Sequence, residues 1–186
     1  MRRSSPRIKV VVLAVLACSV LAGPATGTAS AASCANADAY PGEAARKDLA
    51  HATVCLLNEQ RTSRGLHKLR LDTRLSWAAY MHARDMVERR YFDHRSKEGR
   101  DVVDRLTRTG YLGSAGSWVV GENLAWGAGQ RSTPRQIVRA WMNSAGHRQN
   151  ILTGRFRDIG IGVAMDTPTN ISATGATYTT TFGARG

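Results

Sequence analysis

Two histidines and one glutamate stand out in this sequence because each lies among aromatic, glycine and asparagine residues. His94 ends the segment YFDH, Glu122 lies within GENLAWG, and His147 lies within AWMNSAGHRQNIL. The three residues are widely separated along the chain, and no HExxH segment places two imidazoles on one helical turn. This spacing predicts a polar cleft assembled from separate elements of the fold.

Two imidazoles and one carboxylate are the protein ligands of several catalytic zinc sites, in which water takes the fourth position. The neutral imidazoles of His94 and His147 would donate to the ion, and Glu122 would offset its charge. Zinc is therefore the cofactor that we expect, bound weakly. Without a metal, Glu122 would instead hold one histidine in a single tautomer and raise its pKa. Each residue also has a structural explanation: His94 or His147 at a helix end, and Glu122 in a turn.

Covalent catalysis is less attractive on sequence grounds. Ser144 lies one helical turn before His147, but Gly146 separates them and the chain has no GxSxG segment. Cys34 and Cys55 lie far along the chain from the two histidines and the glutamate. We therefore identify no catalytic nucleophile and lean towards a protein that is not an enzyme.

The first 31 residues have the pattern of a secretory signal peptide. A basic start precedes an apolar stretch at residues 10–22, and residues 29–31 offer a small-x-small cleavage site. The apolar stretch is shorter than the ~20 residues that span a bilayer. We expect an extracellular mature protein without a transmembrane anchor.

The basic residues that would remain are spread along the chain. The formal net charge is +12, and cleavage after residue 31 would lower it by four. No run of lysine or arginine resembles a nucleic-acid-binding arm, so we expect no nucleic acid partner. Outside the cell, anionic wall polymers or lipid headgroups are better partners for such a surface. The alternative is a solvated face that only maintains solubility.

Cleavage would also remove Cys18 and leave Cys34 and Cys55 as an even pair. In an oxidising compartment such a pair favours a disulfide. Closing a loop of about 20 residues contributes ~3 kcal/mol to stability in the chain-entropy model. The bond would tie the N-terminal segment to the first helix.

The hydrophobic pattern predicts helices early in the chain and strands late. Residues 32–43 are polar and interrupted by Pro41-Gly42, which favours an extended lead-in. A helix from Glu43 to Gly65 follows, with Arg61 and Arg64 at its end. Asp72 is the expected N-cap of a second helix that ends near residue 90. Its inward stripe contains a core histidine and four apolar residues: Leu75, Ala78, Ala79, His82 and Met86.

The second half of the chain alternates glycine-rich and β-branched segments. We predict a short helix at residues 102–110 and a short strand at 118–120 that delivers Glu122. Another helix begins at Thr133 and ends near Gly146. Residues 159–165 and 176–182 are the expected strands of an antiparallel hairpin. This order favours an α+β fold over a doubly wound sheet.

The three motifs, in this order and in these contexts, resemble those of the CAP superfamily, the cysteine-rich secretory, antigen 5 and pathogenesis-related-1 proteins. The resemblance runs from about Leu49 to Phe182 and is greatest to the compact bacterial secreted branch. It implies a three-layer α-β-α sandwich and a single CAP domain over residues 44–186.

CAP domains place two histidines and two acidic residues around a central cleft, and some members hold a divalent metal through the histidines. His94, Glu122 and His147 match three of these four positions, whereas the fourth aligns with Ser144. The resemblance therefore predicts a site that lacks its second carboxylate, unless Asp93, Glu98 or another acidic residue reaches it.

The resemblance implies a secreted, non-catalytic binding or signalling module and not a particular ligand. A lipid, a small ligand, a divalent metal or a cell-wall polymer would suit the cleft, and we expect a monomer. The alternative is an extracellular zinc-dependent hydrolase that acts on peptides or wall polymers, since the His₂Glu set could activate a bound water.

Overall fold

A computed structural model describes residues 34–113, 115–169 and 173–186 of the chain. The predicted signal peptide, residues 1–31, lies outside the described residues. The described residues form one compact unit. In the part of the chain that the structure describes, no helix is long and apolar enough to cross a membrane.

Helices and strands alternate along the described chain around a single mixed sheet. The strand order is β1-β3-β4-β2, with β1 parallel to β3 and the other neighbouring pairs antiparallel. The elements are, in order, α1 (Arg46–Thr62), β1 (Arg70–Leu71), α2 (Thr73–Glu88), α3 (Val102–Arg108), β2 (Trp118–Ala128), a 3-10 helix (Gly129–Ser132), α4 (Pro134–Asn143), α5 (Ala145–Leu152), β3 (Asp158–Ala164) and β4 (Gly175–Arg185).

Two groups of helices sandwich this sheet. One apolar core joins α1, α4 and α5 to the sheet through residues such as Leu57, Trp141 and Ile151. A second, smaller core joins α2 to α3 through Leu75 and Leu106. The predicted α+β class and three-layer α-β-α sandwich are confirmed.

The start and inward face of α2 follow the sequence prediction. Asp72 caps the helix, since its Oδ1 accepts hydrogen bonds from the backbone N–H groups of Arg74 at 2.8 Å and Leu75 at 3.3 Å. The predicted inward stripe, His82 included, is buried along its whole length. Local capping chemistry and helical periodicity were therefore enough to place this element.

Helix α2 lies directly against the backbone of β3 because two strand positions are glycine. A Cβ at Gly160 would lie 2.2 Å from the carbonyl carbon of Leu75, and one at Gly162 would lie 2.1 Å from the amide nitrogen of Tyr80. The buried hydroxyl of Thr181 in β4 also donates to the Leu75 carbonyl, at 3.1 Å. These contacts hold α2 at a fixed height above the sheet.

Strand β2 is much longer than the predicted strand at residues 118–120. It pairs with β4 along its whole length, from Trp118 opposite Arg185 to Ala128 opposite Gly175. Glu122 therefore lies within the strand, opposite Thr181, and the interpretation of Glu122 as a turn residue is wrong. The glycines of the motif had suggested a turn, but the long partner strand determines the conformation.

The predicted helix from Thr133 to Gly146 is divided into two. Helix α4 ends at Asn143, Ser144 adopts an extended conformation with φ −98° and ψ 125°, and α5 begins at Ala145. Gly146 therefore lies inside α5 and does not end a helix. This break places His147 in the first turn of α5.

Residues 34–43 form turns, unlike the extended lead-in that the sequence predicted. The backbone N–H of Ala37 donates to the Cys34 carbonyl at 3.2 Å, and that of Glu43 donates to the Tyr40 carbonyl at 3.0 Å. Cys34 and Cys55 are bonded, with their Cα atoms 5.8 Å apart. The predicted disulfide is confirmed, and it ties these turns to α1.

Arg61 is a core residue, whereas the sequence analysis placed it only at the end of the first helix. It is 0% exposed, and its Nη1 donates to the carbonyls of Ile151 at 2.7 Å and Thr153 at 3.0 Å. Its Nε donates to the His67 carbonyl at 3.0 Å. Burial lowers the pKa of Arg61. The guanidinium thus ties the end of α1 to the end of α5 by satisfying backbone carbonyls.

Substitution Gly162→Ala should destabilise the fold. The new methyl group would collide with the backbone of α2, which cannot move as a side chain can. We expect the free energy of unfolding in urea, measured by circular dichroism, to fall by at least about 1–3 kcal/mol.

Gly146→Ala is the matched control, because a Cβ there would have no atom within 4 Å. This substitution lies inside α5 and should be neutral or stabilise by about 0.5–1 kcal/mol. Equal unfolding free energies for the two variants would show that α2 does not depend on the glycine in β3.

Candidate functional site

The Glu122 carboxylate is buried between a histidine and an arginine. Its side chain is 3% exposed. Oε1 lies 2.9 Å from His94 Nδ1, and Oε2 accepts a hydrogen bond from Arg105 Nη2 at 2.7 Å. Glu122 belongs to β2, Arg105 to α3, and His94 to the segment between α2 and α3. One carboxylate therefore connects three separate parts of the chain.

Arg105 is a site residue that the sequence analysis missed. Its side chain is only 10% exposed, and it also donates to the carbonyls of Arg100 at 3.0 Å and His94 at 3.1 Å. A buried carboxylate requires a counter-charge or hydrogen-bond donors. The sequence feature that could have indicated a buried Arg105 is its position next to Leu106, the buried residue of a short helix.

His94 presents a mostly exposed ring whose orientation Glu122 determines. The side chain is 58% exposed, and Nδ1–H donates to the carboxylate, so Nε2 retains its lone pair in the neutral ring. Among residues 34–113, 115–169 and 173–186, no hydrogen bond involves this Nε2. The hydrogen bond to Glu122 is the main cause that raises the pKa of His94, and the charge of Arg105 opposes it.

His147 is positioned through its backbone by two asparagines. Asn123 Nδ2 donates to the His147 carbonyl at 3.1 Å, and Asn150 Nδ2 donates to Asn123 Oδ1 at 2.9 Å. Asn150 Nδ2 also donates to the Glu122 carbonyl at 3.1 Å. A Cβ at Gly121 would lie 3.2 Å from Asn150 Oδ1, so glycine leaves room for this network. The network fixes α5 against β2.

The two histidines lie within electrostatic reach of each other. Burial is the main cause that lowers the pKa of His147, and the charge of His94 lowers it further. The neighbouring imidazoles therefore have opposite pKa shifts: His94 retains its proton longer as pH rises, and His147 loses its proton sooner.

The His94, Glu122 and His147 side chains do not form a tight metal-ligand cluster. Among the described residues, the one such group with all ligand atoms within 4.8 Å of one another is the Cys34 and Cys55 sulfurs with Glu59. The disulfide leaves no thiolate there to bind a metal. At least two of the ligand atoms of His94, Glu122 and His147 must therefore lie more than 4.8 Å apart, although Glu122 contacts His94 directly.

The two candidate second acids differ in their partners. Glu98 forms ion pairs with Arg89 and with Arg100, the latter at 2.9 Å. Asp93 Oδ1 accepts a hydrogen bond from the backbone N–H of Arg95 at 2.8 Å. The charge of Asp93 nevertheless contributes to the raised pKa of His94. The sandwich thus carries one buried carboxylate with a histidine on one side and an arginine on the other.

The α-β-α sandwich carries the three motifs whose order resembles that of the CAP superfamily. The chain belongs to the cysteine-rich secretory protein family, CAP, whose model matches residues 54–180. His94, Glu122 and His147 all fall within the matched region.

Curated relatives and solved structures agree with this assignment. The chain is 39% identical over 109 residues to YkwD and 34% identical over 108 residues to the membrane protein YlbC, both of Bacillus subtilis strain 168. These matches cover 59% and 58% of the chain but only 40% and 29% of the relatives. The chain therefore spans less than half the length of these relatives.

Two solved structures have similar folds and come from extracellular or surface proteins. An extracellular protein with an SCP domain from Bacillus anthracis is 28% identical, with a TM-score of 0.58 over 76% of this chain and 44% of that one. An outer surface protein of Borrelia burgdorferi is 22% identical, with a TM-score of 0.62 over 77% of this chain and 97% of that one. The second likeness shows the fold alone.

Substitution Arg105→Met should destabilise the protein, because it leaves the Glu122 carboxylate buried without its cation. We expect the free energy of unfolding at neutral pH to fall by about 3 kcal/mol. In the double variant Arg105→Met, Glu122→Gln the loss should be smaller, since the buried charge is gone. The measurement is urea unfolding of the two variants beside the wild type.

The exposed Arg108 in the same helix provides the control, since Arg108→Met should change the unfolding free energy by less than about 0.5 kcal/mol. If Arg105→Met and Arg108→Met cost the same, or if the double variant is less stable than Arg105→Met, Arg105 does not act as the counter-charge.

The two histidines should titrate on opposite sides of pH 6.5, their ordinary pKa. Because the pKa of His94 is raised, its contribution to stability is present below pH 6.5 and is lost as pH rises through its pKa in the folded protein. His147 has the opposite sign, so its contribution is lost as pH falls below 6.5. NMR titration of the imidazole protons tests this order, and a lower pKa for His94 than for His147 would contradict it.

Proposed function

We propose that this chain is an exported, non-catalytic binding domain in which His94 and His147 hold a divalent metal ion. Zinc is the best candidate because neutral imidazoles are good ligands for it. Glu122 acts as a positioning residue for His94. The observation that carries the proposal is the engagement of both Glu122 carboxylate oxygens, one with His94 and the other with Arg105.

The chemistry of the donor set favours two protein ligands over three. Glu122 is almost fully buried and neutralised by Arg105, so it has little tendency to bind an ion directly. Metal-binding histidines commonly donate their other N–H to a carboxylate, which fixes the tautomer and increases the basicity of the ring. The contact between Glu122 and His94 Nδ1 fits this second role. The sequence-based expectation of a His₂Glu ligand set is therefore modified in the proposal.

Two imidazoles alone should bind zinc weakly. A bound ion would have coordination positions left for water or for donor atoms of a ligand. A separation above 4.8 Å within the set of His94, Glu122 and His147 means that these three residues could not share an ion without movement. The ring of His94 is 58% exposed, so an ion can approach its Nε2 from solvent while Nδ1 stays bonded to Glu122.

Hydrolysis is less well supported by this geometry. A hydrolase needs a general base at the reacting water, but Glu122 is paired with Arg105 and Glu98 is paired with two arginines. Ser144 stands where many CAP proteins have their second acid. The zinc-dependent hydrolase of peptides or wall polymers is thus the weaker alternative, because Asp93 is the one candidate base without an ion pair among the described residues.

Export is supported by three independent observations. Residues 1–31 have the signal-peptide pattern, Cys34 and Cys55 form a disulfide, and the Bacillus anthracis relative is described as extracellular. A disulfide persists in oxidising compartments and is rare in the bacterial or eukaryotic cytosol. We propose that the mature protein acts outside the cell as a monomer.

Zinc titration calorimetry tests the site. At about pH 7.5 the wild type should bind, His94→Ala and His147→Ala should abolish the signal, and Glu122→Gln should weaken the affinity about tenfold or more. At about pH 5.5 binding should weaken as the imidazoles protonate. His51→Ala is the matched control, because His51 is exposed on α1, an element that contains none of His94, Glu122 and His147.

Absence of zinc binding by the wild type, or equal losses in His51→Ala and His94→Ala, would overturn the metal proposal. The proposal that the domain is not catalytic has its own test. If the purified protein cleaves a peptide or a wall polymer, and that activity is lost in the His94, Glu122 and His147 variants, the hydrolase alternative replaces it.

A further inference from the structure

Trp77 stands exposed on α2 between two pockets. Its side chain is 56% exposed, although a large aromatic ring gains most by burial. One pocket, of about 300 Å³, lies between α1, α2 and β3. The other, of about 340 Å³, lies between α2 and α3. Trp77 lines both pockets and so forms a shared aromatic wall.

The first pocket, which we call the α1–α2 pocket, combines an apolar floor with positive charge. Ile161 and Val163 of β3 belong to its lining, together with Arg46 and Lys47 of α1. The guanidinium of Arg46 lies 3.9 Å above the ring of Tyr80, which also lines the pocket. None of the described residues that line this pocket is acidic. The pocket therefore suits a ligand with an anionic group.

The second pocket, which we call the α2–α3 pocket, is lined by three arginines and one acid. Arg105 is paired with Glu122, and Arg100 is paired with Glu98. Arg108 is exposed and, within the described part of the chain, forms no ion pair or hydrogen bond. The acid, Asp85, interacts with Arg89 at 3.4 Å and accepts a hydrogen bond from the Tyr91 hydroxyl. Arg108 is thus the cation available to a ligand.

The α2–α3 pocket also carries unsatisfied hydrogen-bonding atoms. Arg105 Nε and His82 Nδ1 are buried and have no partner among the described residues. His82 Nε2 lies 2.9 Å from the Asp93 carbonyl and must donate to it, so Nδ1 is an acceptor. Arg105 Nε is a donor. Both atoms are covered by protein, so the groups that suit a ligand rich in hydroxyls are the hydroxyls of Ser96 and Thr109, which belong to the pocket lining.

We propose that an anionic polysaccharide binds across Trp77, with one sugar ring against the indole and its anionic groups in the two pockets. Two adjacent cationic pockets that share one aromatic wall fit a chain with repeating charges better than a single small anion, which would occupy one pocket only. The Ser96 and Thr109 hydroxyls in the lining favour a sugar chain, whose own hydroxyls can donate to them and accept from them. The anionic group is a carboxylate or a phosphate.

This polysaccharide site goes beyond the proposed metal site and does not need the metal. Arg105 belongs to both, since it pairs with Glu122 and lines the α2–α3 pocket. Substitutions that test the polysaccharide site should therefore spare Arg105, His94 and Glu122.

Calorimetric titration with soluble probes in the presence of EDTA tests the proposal. Oligogalacturonate provides carboxylates, and dextran phosphate provides phosphates. We expect saturable binding of at least one probe that weakens as salt is added. Trp77→Ala and Arg108→Ala should each weaken it, with a loss of about tenfold for the tryptophan. Methyl-esterified oligogalacturonate and neutral dextran, the uncharged counterparts, should not bind.

Trp118→Ala and Arg139→Ala are the matched controls, since each removes the same kind of exposed side chain outside both pockets. Both should retain the wild-type affinity. The proposal is overturned if neither anionic probe binds, if the neutral probes bind equally well, or if the Trp77 variant binds as the wild type does. Tighter, Trp77-dependent binding of single-stranded DNA or of anionic lipid vesicles would also overturn it.

Discussion

The buried carboxylate of Glu122 is the interaction on which the site depends. A charge so little exposed to water is tolerated only because Arg105 neutralises it and His94 donates to it. In return, the carboxylate holds the long segment between α2 and α3 against β2. The same contact determines which nitrogen of His94 carries the proton. The stability of this region and the proposed metal site therefore depend on the same ion pair.

The close packing of α2 on β3 supports this arrangement. Gly160 and Gly162 let the helix rest on the backbone of β3, so its height and rotation are fixed by contact with the sheet. This rotation buries His82 and leaves Trp77 outside. Both pockets beside Trp77 border α2: α1 and β3 complete one of them, and α3 completes the other.

The sequence predicted the features that depend on local chemistry. The Asp72 cap, the inward stripe of α2 and the disulfide needed only neighbouring residues or an even cysteine count. The burial of Arg105 and Arg61 could not be predicted, because a cation is buried only where carboxylate or carbonyl groups accept its hydrogen bonds. Those groups lie far away in the sequence. The length of β2 was missed for the same reason: its glycines resemble a turn unless β4 is known to lie alongside. The resemblance to the CAP superfamily predicted the three-layer sandwich. The three sequence motifs identified His94, Glu122 and His147.

The central claim is that Glu122 positions His94 and does not itself bind the metal. Anomalous diffraction from crystals of the protein soaked in zinc at neutral pH tests it most directly. We predict an ion within about 2.0–2.1 Å of His94 Nε2 and of a ring nitrogen of His147, with Glu122 still bonded to His94 Nδ1 and Arg105. A zinc ion bound directly to a Glu122 oxygen, with Arg105 displaced, would contradict the account.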